Sequence, residues 1–131
     1  MMQRQDNGRI IAALLLLLLM TACGETQEQI LSEFAAPDGD YLLRLTLIAA
    51  SSDKLPHKIN LYLVPRGTAA GAPVVSTALA NDGAPFTGDQ IGLTWLAKRT
   101  VLMCLKPHGA ARHGVRVELS DPPQIEDPVQ C

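Results

Sequence analysis

From about residue 30 onward, apolar and polar side chains alternate with a period of two in one segment after another. The clearest run is Tyr41 to Ala49. Tyr41, Leu43, Leu45 and Leu47 fall on one face and Arg44 and Thr46 on the other, with Leu42 and Ile48 breaking the pattern. That period is the signature of a strand with one face on a core. His57 to Val64 repeats it, with Ile59, Leu61 and Leu63 alternating against Asn60 and Tyr62. Val74 to Ala80 predicts a third strand, weakened by its alanines. Ile91, Leu93 and Trp95 share a face in a fourth, and Thr100 to Lys106 follows with Val101, Met103 and Leu105. The bend at Lys98-Arg99 makes these two a predicted hairpin. Val115-Arg116-Val117-Glu118-Leu119 is the cleanest two-faced strand, expected at a sheet edge or with one face wet. Glu28 to Ala36 reads two ways. Ile30 and Phe34 are spaced as on a helix, yet Ile30, Ser32 and Phe34 also alternate, and the extended reading is preferred.

Between these segments lie turn signals. Pro37-Asp38-Gly39-Asp40 combines a fixed φ, a locally bonding carboxylate and a residue that accepts φ > 0. Residues 65–73 and Asn81-Asp82-Gly83 are loops by composition, and residues 107–114 form a polar loop. The stretch from Asp121 to Cys131 holds Pro122, Pro123 and Pro128 and no periodicity, so it reads as an irregular tail. The economical architecture is all-β: a small antiparallel β-sandwich or partly open barrel of about six strands, preceded by a signal-peptide helix. The Pro37-Asp38-Gly39 turn ahead of an aromatic and a strand resembles the opening of propeller blades of the TolB type. It occurs once, whereas propellers need several copies at fixed period.

A different pattern occupies the start of the chain. Arg4 and Arg9 against Asp6 precede an apolar block from Ile10 to Met20, with six consecutive leucines, and then Thr21-Ala22-Cys23. A positive start, an apolar core and small residues at its end make a secretory signal. The block would rise only about 16 Å as a helix, against roughly 30 Å of hydrocarbon, so it is too short to span a bilayer. Met20-Thr21-Ala22-Cys23 resembles the lipobox of bacterial lipoproteins, with Met20 standing where leucine is commonest. The resemblance covers the leader alone, and the plainer alternative is an ordinary signal cut near Ala22. It implies diacylglycerol on the Cys23 thiol, cleavage before it and acylation of the new amino terminus. Two or more acyl chains anchor a protein stably where one does not. Gly24 follows, where an aspartate in such proteins favours the inner membrane. The expected place is therefore the periplasmic face of the outer membrane. The organisation is then a signal peptide over 1–22, a lipidated tether over 23–29 and one β-rich domain over 30–131.

Removing the leader leaves 109 residues, enough for one small domain. The eleven basic residues less Arg4 and Arg9, and the thirteen acidic less Asp6, leave a net charge of −3 with histidines neutral. No field of that size and sign suits nucleic acid. With Cys23 assigned to lipid, Cys104 and Cys131 remain as an even pair in an oxidising compartment, and a disulfide between them is expected. The alternative is a buried Cys104 and a free Cys131. Such a bond would also pin residue 131, which would otherwise fray.

No G-x-S-x-G, H-E-x-x-H, C-x-x-C, G-x-G-x-x-G or P-loop pattern occurs. No catalytic function and no cofactor are expected. His108 and His113 lie five apart in one loop, with Arg112 and Arg116 beside them, so a site for an anion or a metal can be drawn there. Solvated loop side chains are the plainer reading, because zinc sites use tighter paired spacings. His57 is expected to be structural. Tyr41 and Trp95 are expected in the core, and Tyr62 is the better candidate for an exposed aromatic. The expected partners are the membrane, through the lipid, and another envelope protein.

Overall fold

A computed structural model describes residues 27–131. The expected signal-peptide helix over 1–22, the expected lipidation site at Cys23 and the expected tether over 23–29 as far as residue 26 lie outside the described residues.

Four strands form the first sheet in chain order: β1 (Glu28–Ala35), β2 (Tyr41–Ile48), β3 (His57–Pro65) and β4 (Val75–Leu79). Each pairs antiparallel with the next, so the sheet is a simple meander. The β1–β2 turn forms as its residues demand. Gly39 N–H donates to the Ala36 carbonyl at 3.0 Å, and Asp40 N–H to Asp38 Oδ1 at 3.2 Å. Gly39 takes φ +77°, a backbone conformation that costs glycine little. Glu28 to Ala36 resolves to the extended reading. The strand starts at Glu28, so Glu28 and Gln29 belong to the sheet rather than to a tether.

A single 3-10 turn, Gly88–Gln90, leads into the second sheet. This is again a meander: β5 (Ile91–Ala97), β6 (Thr100–Leu105), β7 (His113–Glu118) and β8 (Gln124–Val129). The expected hairpin is β5–β6, pairing Ile91 with Leu105, Leu93 with Met103 and Trp95 with Val101.

The inner faces of the two sheets meet in one core. Leu43, Ile59, Leu61 and Leu79 of the first and Val101, Met103, Leu105, Val115 and Val117 of the second are fully buried. The architecture is thus a β-sandwich of two separate four-stranded sheets, with no closed barrel.

Three expectations are corrected. The described residues hold eight strands rather than about six, and the segment read as an irregular tail contains β8. Its residues are almost all exposed, so no hydrophobic alternation marks it. It is held by pairing with β7 rather than by burial, and an outer strand tolerates the proline that an inner one would not. For the same reason Val115 to Leu119 is not an edge: β7 lies between β6 and β8. The wet-face reading of that segment stands, with Arg116 and Glu118 exposed and Val115 and Val117 buried.

Candidate functional site

Because Leu43, Leu45 and Leu47 of β2 and Ile59 and Leu61 of β3 turn inward, Arg44, Thr46, Asn60 and Tyr62 must face outward. The register sets Thr46 beside Asn60, Asn60 beside Ser76 and Arg44 beside Tyr62. Thr46 and Asn60 are nevertheless only 2% and 3% exposed. Glu28, on the outer strand, reaches across them. One carboxylate oxygen, Oε1, accepts from Thr46 Oγ1 at 2.5 Å, Tyr62 Oη at 2.5 Å and Asn60 Nδ2 at 3.0 Å. Asn60 Oδ1 in turn accepts from Ser76 Oγ at 2.7 Å, so the network touches all four strands. Beside it Arg44 Nε donates to Glu33 at 2.9 Å. Glu28, Ile30, Arg44, Thr46 and Tyr62, with Ala70 and Gly71 of the β3–β4 loop, line a cleft of about 310 Å³.

The electrostatics follow from the donors. The hydrogen bond from Thr46, then those from Tyr62 and Asn60, hold the Glu28 carboxyl below its ordinary value, with Lys58 adding a smaller pull. Donating to that carboxylate raises the Tyr62 hydroxyl. The Thr46 and Tyr62 hydroxyls that line the cleft both donate to this one carboxylate oxygen. The cluster clamps β1 onto the sheet and presents a fixed polar face.

The sequence-derived loop site is only partly assembled. The consecutive Arg112 and His113 both line a cleft of about 690 Å³, with Pro128, Val129, Gln130 and Cys131. His108 turns elsewhere, its Nδ1 3.9 Å from Asp82 Oδ1 of the β4–β5 connection. Arg116 projects from the exposed face of β7, in register with Leu102 and Glu126. No three His, Cys, Asp or Glu side chains converge as metal ligands among the described residues. Cys104 and Cys131 form the expected disulfide, with Cα atoms 5.8 Å apart.

His57 is buried, and its Nδ1 accepts the Ala50 N–H at 3.0 Å, with the Phe86 ring edge-on at 6.2 Å. The imidazole therefore closes the β2–β3 loop, a structural role. Tyr41 and Trp95 pack with ring centroids 6.3 Å apart, Tyr41 buried and Trp95 half-buried against the core. Arg99 lies 5.9 Å over the Tyr41 ring. Tyr62 is the outward-facing tyrosine, as its strand phase requires.

Glu28 as the hub of a network was missed by sequence reasoning. The signal was present in Thr46 and Asn60, two polar residues of similar size on the outer phase of neighbouring strands. What was missing was the register that sets them side by side. Among the described residues no helix is long and apolar enough to cross a membrane. Comparison with protein-family models, with curated proteins and with solved structures finds no match to this chain.

Proposed function

We propose that this chain is a lipid-anchored bacterial envelope protein that works as a non-enzymatic binding or assembly module, on the periplasmic face of the outer membrane. The observation that carries the reading is the cysteine arithmetic. Of three cysteines, Cys104 and Cys131 are bonded to each other. That leaves Cys23, standing at the end of an apolar leader in a lipobox-like setting, for the lipid. A structural disulfide also suits an oxidising compartment.

Chain reach adds a spatial consequence. Five Cα-to-Cα steps lead from Cys23 to Glu28, and at about 3.5 Å each they extend at most about 18 Å. The end of the sandwich carrying Glu28, Ile48 and Lys58 then stays close to the headgroups. Glu28 Oε1 is already engaged by three donors, and His57 Nδ1 by the Ala50 amide. What the domain offers a partner is its strand edges and its wet faces.

The test is the intact mass of the protein extracted from membranes, with and without reductant. Acylated Cys23 and a two-proton gain on reduction are expected. A Cys23→Ser protein that is still processed and membrane-held would refute the anchor. A second reading, a small-anion binder, is favoured by the cleft that the adjacent Arg112 and His113 line. Calorimetry with inorganic phosphate, repeated on Arg112→Ala, separates it from the first.

A further inference from the structure

A two-sheet meander of this kind has four outer strands: β1, β4, β5 and β8. An outer strand presents unpaired backbone groups, and folded proteins guard such edges with bulges, prolines and charges. Three of the four are guarded here. The pairing of β1 shifts register between Ile30 and Ser32, and the strand carries Glu28 and Glu33. β5 shifts register between Trp95 and Ala97. β8 carries Pro128 together with Glu126 and Asp127. β4 has none of these. Val75-Ser76-Thr77-Ala78-Leu79 pairs with β3 in unbroken register, contains no proline and no charge, and leaves Ser76 and Ala78 exposed.

We propose that the β4 edge pairs with the β4 edge of a second copy of this chain, antiparallel about a two-fold axis at Thr77, joining the two first sheets into one of eight strands. Two constraints select that register. Residues directly opposite in an antiparallel pair point to the same side of the sheet. With both cores on the same side, an inward residue must therefore meet an inward residue, so the axis passes through a residue and not between two. Among such registers, the one centred on Thr77 pairs all five residues.

The pairs that result are matched. Val75 meets Leu79 of the second copy, extending the buried row. Ser76 meets Ala78, small against small. Thr77 meets its own equivalent, a pair that can hydrogen-bond across strands. The interface is isologous, using one patch twice, as two-fold dimers do. It is also small, so the pairing is weak in dilute solution. It does not depend on lipidation.

The experiment uses the protein purified from membranes, as wild type and as three single variants. Sedimentation up to about 1 mM, the range of weak self-association, is expected to show a monomer–dimer equilibrium for the wild type. Thr77→Lys sets two like charges directly opposite at the axis and abolishes the dimer. Under mild oxidant Thr77→Cys cross-links about tenfold faster than Ser76→Cys, because only position 77 faces its own equivalent at disulfide distance. A wild type that is monomeric at every concentration overturns the proposal, as does a dimer untouched by Thr77→Lys. Equal cross-linking at 76 and 77 overturns the register and the proposal with it. If Thr77→Lys does not fold, the cysteine pair alone decides.

Discussion

Replacing Glu28 tests the polar network most directly. Glu28→Ala leaves Thr46 Oγ1 and Asn60 Nδ2 without their acceptor, at positions 2% and 3% exposed. An unmet buried donor costs about 1–3 kcal/mol. Tyr62 is half-exposed and can turn to water, and removing the Glu28 side chain admits water to part of the patch. The expected loss is therefore at the lower end, about 1–2 kcal/mol in total. For a domain of this size each kcal/mol moves Tm by about 4–8 °C, so scanning calorimetry resolves the change. The pH dependence supplies a second arm. The folded-state carboxyl titrates below its ordinary value of 4.5, while the unfolded chain titrates near it. Between the two the unfolded state binds more protons, so stability rises with pH there. The contribution is present above the unfolded value and is lost as pH falls through the folded one. Glu28→Gln should be less stable than wild type at neutral pH and lose less on acidification. Tyr62, with its hydroxyl raised, contributes in the opposite sense: its share is present below its ordinary value of 10.0 and lost as pH rises through the folded value. A Glu28→Ala protein within about 0.5 kcal/mol of wild type, the range of ordinary surface changes, would refute the account of the network.

Two further outcomes follow from the second sheet. Reducing the Cys104–Cys131 bond, or replacing Cys131 with serine, should cost about 3–4 kcal/mol on the chain-entropy estimate for a loop of this length. Hydrogen exchange should show β8 amides losing protection while β6, paired on both sides by β5 and β7, keeps its own, because β8 buries almost nothing of its own; uniform loss across the sheet would contradict that. Gly114 is the second point. A Cβ there would sit 3.0 Å from both Leu102 Cδ1 and Val129 Cγ2, and 3.2 Å from the Val129 carbonyl oxygen. Gly114→Ala should therefore destabilise by about 1–3 kcal/mol, read as a lower urea midpoint, and an unchanged midpoint would show that β8 yields freely.

Amphipathic alternation was sufficient for the inner strands. β2, β3, β6 and β7 each bury one phase against the core, and burial is what writes a period of two into a sequence. Turn chemistry was equally legible, since Gly39 requires its φ whatever the tertiary context. β8 was invisible because pairing with β7, not burial, holds it, and backbone hydrogen bonds leave no trace in side-chain type. The error at Val115 to Leu119 came from the same cause. One wet face marks an edge strand and an interior strand of a half-exposed sheet alike, and only the neighbour on the far side separates them.

The candidate sites divide along the same line. Because a count of thiols can be read before folding, three cysteines, one of them expected to carry lipid, pointed to a disulfide between the other two, and that bond is present. The four residues of the 107–116 loop were grouped by nearness in the chain. Folding left the consecutive Arg112 and His113 lining one cleft, turned His108 toward Asp82 and sent Arg116 out along β7. Glu28 joins Thr46, Asn60 and Tyr62 across strands up to 34 positions apart. The sequence by itself determined which apolar residues would line the core, where the chain would turn and which cysteines could pair, since those follow from local chemistry and solvent. Strand order and register, which only the tertiary structure decided, settled which polar groups meet and which edge remains open, because those depend on contacts between segments distant in the chain.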